Sequence, residues 1–173
     1  FDRSVGDGVG TDVAAPAGGG GERIQWSPDG RRILFTSADR GNANLRAVAA
    51  TGGPVEEITK GDQDVAAFTI AANGQVAALI SRPTSPLDVY TFSLTQADPR
   101  RLTEVNADNL KGRALSKLES FWYKSFDGGQ IQGWVMKPVG FEEGKKYPLL
   151  LYIHGGPHGA YGNTFFHEFQ VLA

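Results

Sequence analysis

The six residues His154-Gly155-Gly156-Pro157-His158-Gly159 carry the densest chemistry-bearing pattern in the chain, directly after the apolar run Leu149-Leu150-Leu151 and the residues Tyr152-Ile153. Glycine lets a main chain approach a ligand with no Cβ in the way. A proline after two glycines fixes φ and stiffens the turn. A backbone N–H held in such a loop can stabilise the charge that develops on a carbonyl oxygen under nucleophilic attack. Three other uses compete. The loop can be a structural turn. His154 and His158 can ligate a metal, but their i, i+4 spacing needs a helix, which Gly155-Gly156-Pro157 opposes. Residues 155–159 can cradle a phosphate, but the pattern lacks both a Lys-Ser/Thr pair and a dinucleotide fingerprint. The chain has no cysteine, which removes thiolate ligands and thiol nucleophiles.

The flanking segments say what must hold this loop. Tyr147 to His154 is the most continuous apolar run, which predicts a strand covered on both faces, as in an α/β sheet. Thr164 to Ala173 places Phe165, Phe166, Phe169, Leu172 and Ala173 at helical spacing, with Thr164 as a cap, and predicts the helix after that strand. Upstream, Glu119 to Phe126 and Gln130 to Lys137 flank Asp127-Gly128-Gly129, a hairpin signal. Pro138 to Lys146 reads as loop, and Asn109 to Ser120 as a helical or extended linker.

The first hundred residues have a different grammar. Arg32–Thr36, Asn44–Val48, Gln75–Ile80 and Asp88–Phe92 are short alternating or apolar runs bounded by Gly, Pro, Asn or Asp, and predict strands. They repeat. The segment WSPDGRRILF at 26–35 aligns with IAANGQVAAL at 70–79, and ITKGDQD at 58–64 with LTEVNAD at 102–108, both 44 residues apart. A period of about 40–45 residues with about four strands per unit is the signature of a β-propeller blade. An antiparallel sandwich with similar turns is the bland alternative. Propellers close with about four to eight blades, and only about two fit here, with residues 1–25 as the tail of an earlier one. The expected fold is therefore two-part. Residues 1–110 form the C-terminal part of an all-β propeller, and residues 111–173 form a linker and the truncated start of an α/β-hydrolase domain.

The blade repeat, SFDGGQIQGWVMKP, YPLLLYIHGGPHGAYG and FHEFQVLA together resemble the prolyl oligopeptidase (S9) family of serine peptidases, in its acylaminoacyl-peptidase and dipeptidyl-peptidase-like branch. The resemblance runs along essentially the whole chain and is most specific at HGGPHG. It implies a propeller capping a serine hydrolase that admits short peptides and excludes folded proteins. It implies the Gly156 N–H as an oxyanion donor, His154 holding the loop by side-chain hydrogen bonding, and Gly155 and Pro157 shaping it. Some members use a tyrosine hydroxyl at this loop, where His154 stands here. Tyr161 is expected to pack or line the rim, and His158 and His167 have no assigned role. The chain departs from the family by lacking G-x-S-x-G. The implied Ser, Asp and His triad is expected beyond Ala173, so the isolated chain is expected to be inactive. A peptide-binding propeller with a hydrolase remnant and an esterase are the alternatives.

Composition narrows the partners. With 40% hydrophobic and 21% charged residues the chain is ordinary for a globular protein, and a net charge of −2 gives no reason to expect nucleic acid or an anionic membrane surface. No apolar run approaches the roughly 18 residues of a membrane helix. The expected partners are a short peptide, the remainder of the same protein and further copies of it. No metal or cofactor is expected, and a cytoplasmic location is the working expectation.

Overall fold

The computed structural model describes residues 8–12, 24–155 and 159–173. It is mostly β, with two short helices. Eight strands form one sheet: β1 (Ile24–Trp26), β2 (Arg32–Asp39), β3 (Asn42–Ala49), β4 (Glu56–Glu57), β5 (Asp64–Ile70), β6 (Gln75–Arg82), β7 (Ser85–Ser93) and β8 (Gln96–Arg101). They divide into two four-stranded antiparallel units, β1–β4 and β5–β8, joined through a single parallel pair, Ala43 with Asp64. Among the described residues the sheet does not close on itself.

The 44-residue repeat has a physical content. The Leu45 N–H donates to Thr59 Oγ1 at 2.9 Å, and 44 residues later the Val89 N–H donates to Thr103 Oγ1, also at 2.9 Å. Leu45 O accepts from Ile58 N, as Val89 O accepts from Leu102 N. Asp29 Oδ1 accepts from Arg31 N and Asn73 Oδ1 from Gln75 N, each two residues on. In both units an Asx side chain closes the first hairpin, with Gly30 or Gly74 at positive φ. In both, a threonine hydroxyl replaces a ladder partner where the fourth strand ends. The repeated Asp/Asn-Gly and Ile/Leu-Thr pairs are thus repeated hydrogen bonds.

The two units share one apolar core. Leu34, Leu45 and Ala47 from the first pack with Val65, Phe68, Val76, Ile80, Tyr90 and Phe92 from the second. Strand β7 alternates buried and half-buried residues along its whole length, the period a pleated strand imposes. A buried polar chain also crosses between the units. Gln63 Nε2 and Thr59 Oγ1 both donate to Asn44 Oδ1 at 2.9 Å, while Arg82 donates to Gln63 Oε1 at 2.9 Å and to the Tyr90 hydroxyl at 2.7 Å. Because each of these contacts is made, the network holds the units together rather than leaving buried polar groups unpaired.

After the sheet come α1 (Ala107–Leu110), the hairpin β9 (Leu118–Lys124) and β10 (Gln130–Met136), and α2 (His167–Leu172). The hairpin forms where Asp127-Gly128-Gly129 predicts it, with Gly128 at φ 87° and Asp127 Oδ1 accepting from Gly129 N. That contact and the Ser125 hydroxyl hold the Asp127 carboxyl below its ordinary range. Two expectations are corrected. Tyr147 to His154 is not a buried strand: it has no ladder partner among the described residues, and Leu149 and Leu151 are 85% and 81% exposed. Continuous apolarity makes two-sided burial favourable, but a strand also needs neighbours for its N–H and C=O groups. An α/β layer around this run is not formed by the described residues. Thr164 does not cap the following helix, which starts three residues later after Phe166. Thr164 is instead buried under the turn that precedes it, with its N–H bonded to Gly162 O.

Candidate active site

The two flanks of the glycine loop lie beside the β2–β3 turn. This turn is a two-residue hairpin, Asp39 pairing with Asn42 across Arg40 and Gly41. Both central residues have positive φ, 50° and 75°, the type I′ arrangement that matches strand twist. Gly41 suits it. Arg40 is the one described non-glycine residue at positive φ, a conformation that disfavours an L side chain by about 1 kcal/mol.

Several groups lock the turn. Trp134 of β10 covers Gly41 so closely that a Cβ there would overlap the indole. Gln132 Nε2 donates to Arg40 O at 3.1 Å, and Asn163 N donates to Gly41 O at 2.7 Å. Asn163 Nδ2 adds a bond to Asn42 Oδ1 at 2.7 Å. Two residues on, Phe165 N donates to Ser81 Oγ at 2.9 Å, and Gln170 Nε2 reaches Pro83 O at 3.1 Å. The chain downstream of the loop is therefore fastened to both four-stranded units, through the β2–β3 turn of the first and the β6–β7 end of the second.

Residues 8–12 fasten it from the other side. Gly10 N donates to Ala160 O at 2.8 Å and Thr11 Oγ1 to Phe165 O at 2.6 Å. The Asp12 carboxylate accepts from His167 N and Glu168 N, both at 2.6 Å. Asp12 thus caps α2 from 155 residues away, the role the sequence reading gives to Thr164. Residues 8–12 themselves belong to no strand. Asp12→Ala is expected to lower stability by about 1 kcal/mol through loss of this cap, measured by urea denaturation. Thr164→Ala, which removes no cap, should leave the α2 amides as protected from hydrogen exchange as in the parent.

Where these segments meet is a cleft of about 290 Å³ lined by Arg40, Gly41, Gln132, Trp134, His154 and Tyr161 among others. His154 is exposed at its rim, with Nδ1 3.1 Å from Gly155 O, a contact that is a hydrogen bond when Nδ1 carries the proton. Tyr161 stands at the centre of an aromatic cluster, with ring centres 5.8 Å from His154, 5.9 Å from Tyr152 and 5.5 Å from both Phe166 and Phe169. Burial pushes its phenol pKa up, with Tyr152 and Glu168 adding to the effect. A Cβ on Gly155 would meet no described residue within 4 Å. Gly159 differs: its Cβ would lie 2.8 Å from Gly155 O, so the two described glycines of the loop lie close together. Gly156, Pro157 and His158 lie outside the described residues. His167 is exposed on α2, with its backbone N–H donated to Asp12 Oδ1. Among the described residues no group of three or more His, Cys, Asp or Glu side chains could hold a metal ion, and no helix is long and apolar enough to cross a membrane.

No protein-family profile matches the chain. Individual relatives do. Over 157 residues it is 33% identical to an uncharacterized peptidase, YuxL, of Bacillus subtilis, covering 90% of this chain and 24% of that one. It is 32% identical over 136 residues to dipeptidyl-peptidase 5 of Porphyromonas gingivalis, covering 79% and 20%. The structure superposes on an acylaminoacyl peptidase of Pyrococcus horikoshii with a TM-score of 0.73 and 28% identity, over 100% of this chain and 24% of that one. The chain matches a fragment of an S9-family peptidase. It spans about a quarter or less of the length of these relatives. Within this S9 match, the groups that fasten the loop flanks are ones the sequence alone does not mark. Asp12, Gly41, Asn163 and Gly162 act through contacts with residues more than a hundred positions away. Only the tight Arg40-Gly41 pair between two alternating runs carries a local signal, that of a hairpin turn.

Proposed function

We propose that this chain is part of a serine peptidase that hydrolyses short peptides through an acyl-enzyme. The supporting observation is the likeness to peptidases along 90% of the chain, ending in a glycine loop whose flanks open on the cleft beside Trp134. In this reading β1–β4 and β5–β8 are blades of a propeller that restricts entry to short peptides. Residues 1–110 belong to that propeller, and residues 111–173 begin an α/β-hydrolase domain. The Gly156 N–H receives the oxyanion, and His154, Gly155 and Pro157 set its direction.

The chemistry divides the work. A serine hydroxyl attacks the scissile carbonyl while a histidine takes its proton, and the carbonyl oxygen becomes an oxyanion. Gly156 N–H stabilises that charge, and collapse expels the amine, which takes the proton back. Water then hydrolyses the ester by the same sequence. An N–H donor stabilises the transition state but cannot form the new bond, so this chain needs a nucleophile and base from outside its 173 residues. The short peptide, the rest of the same protein and further copies of it are its proposed partners.

Fluorophosphonate labelling tests this reading. The full-length gene product is expected to label covalently on a serine outside these residues, and the isolated 18.5 kDa chain to remain unlabelled. Peptide binding by a full-length product that neither labels nor hydrolyses would instead favour a non-catalytic peptide-binding propeller. Labelling accompanied by turnover of esters and not of peptides would favour an esterase.

A further inference from the structure

We propose that Arg40 binds a carboxylate of the peptide substrate and so selects which peptides settle beside His154; the proposal rests on the peptidase reading above. Arg40 lines two clefts at once. One is the cleft that holds Trp134, His154 and Tyr161. The other, about 310 Å³, is polar and lined by Asn42, Asn44, Arg46, Glu57, Lys60 and Asp62 among others. The turn that carries Arg40 is the wall between them.

Charge bookkeeping around the turn singles Arg40 out. Arg46 is buried and paired with Glu57 at 3.1 Å and Asp39 at 3.6 Å. Asp62 faces the Asn163 amide at 3.4 Å. The Arg40 guanidinium is exposed and makes no ion pair with a described residue, and Lys60 stands exposed on the same polar cleft. A guanidinium offers two parallel N–H donors that match a carboxylate, and its charge cannot be titrated away. The position itself points the same way. Gly would sit at φ 50° without strain and Asn or Asp with less of it, yet an arginine occupies the position. Strained positions concentrate where a side chain must be aimed. The backbone of Arg40 is fixed by Gln132, and its neighbour Gly41 by Asn163 and Trp134, so the charge is presented from a rigid base.

Two kinds of carboxylate fit: the free C-terminus of a short peptide, or an Asp or Glu side chain within it. The test compares the full-length gene product with its Arg40→Ala, Arg40→Lys and Arg40→Asn variants. Three tetrapeptide series are used: free C-terminus, C-terminal amide, and C-terminal amide with one Asp. Hydrolysis is followed by chromatography, and binding by anisotropy of the same peptides carrying a dye. Arg40→Ala is expected to raise KM about tenfold or more for whichever carboxylate series the parent prefers, the scale of a charge-assisted contact. The neutral amide should be unaffected, and Arg40→Lys should recover part of the loss. The preferred series identifies the source of the carboxylate. Arg40→Asn should lose the preference while gaining thermal stability, because asparagine tolerates the turn.

Equal losses on charged and neutral peptides, or an Arg40→Asn variant less stable than the parent, would overturn the proposal by making Arg40 structural. If no series is hydrolysed, the peptidase reading fails. Carboxylate-dependent binding that Arg40→Ala abolishes would still uphold the role of Arg40, and its absence would sink that as well.

Discussion

Gly162→Ala is expected to lower stability by about 3 kcal/mol, from overpacking and one lost hydrogen bond. Gly162 is buried, and a Cβ on it would run into the carbonyl oxygen of Gly41, with the Gly41 carbonyl carbon and Val9 Cγ1 at 2.8 and 2.7 Å. A backbone carbonyl in a locked type I′ turn cannot step aside as a flexible side chain would. The strand-side contact must therefore give, and with it the 2.7 Å bond from Asn163 N to Gly41 O. Urea denaturation gives the magnitude. Hydrogen exchange gives the location: the Asn163 and Phe165 amides should lose protection while those of β6 and β7 keep it. A variant within about 0.5 kcal/mol of the parent, the range of surface substitutions, would mean that residues 159–165 do not dock on the turn as described.

Asp88→Ala is expected to be about as damaging. Asp88 is a fully buried carboxylate in β7 that accepts from Thr103 Oγ1 at 2.8 Å, from Val105 N at 3.1 Å and from Arg101. It ties the end of the second unit's last strand to its third. Removing one member of a buried pair typically destabilises by 3–5 kcal/mol, because the other charge is left without compensation. The Arg101 side chain is 33% exposed and can rehydrate in part, which places the expected loss nearer about 3 kcal/mol. A double-mutant cycle separates pairing from packing. Asp88→Ala with Arg101→Ala should cost clearly less than the two single losses combined. Strict additivity would show that the two side chains do not act together.

How far the sequence carried depends on whether the signal was local. Strands β2, β3, β6 and β7 were legible because alternation of period two and Asx-Gly turns act within ten residues. The 44-residue repeat was legible for the same reason: the threonine that ends each fourth strand is reached within its own unit. Hairpin β9–β10 followed from Asp127-Gly128-Gly129. The run from Tyr147 to His154 was misread because burial is a property of neighbours. Apolar side chains state what a segment would gain by being covered, not whether strands lie beside it. The cap of α2 was misread because the nearest oxygen in sequence, on Thr164, is buried elsewhere, while the one that serves lies at Asp12. At the candidate site the glycine loop stood out by residue type. The parts that hold its flanks, Gly41 under Trp134 and Gly162 on Gly41, are ordinary glycines until the chain brings them together.

The bonds from residues 10–12 to residues 160–168 have a further consequence, for the order of folding. Each four-stranded unit closes through hairpins whose contacts are near in sequence, so it can form early and independently. The Asp12 contacts with α2 span 155 residues. Closing so long a loop in an unfolded chain is entropically unfavourable and slow, whereas closing it after the intervening units have folded brings together two short segments over a small remaining gap. During synthesis residues 10–12 emerge well before residues 160–168, so these contacts can form only after the intervening units have left the ribosome. Among these contacts the long-range ones form after the hairpins, so the flank of the glycine loop is set only once the two four-stranded units beneath it have folded.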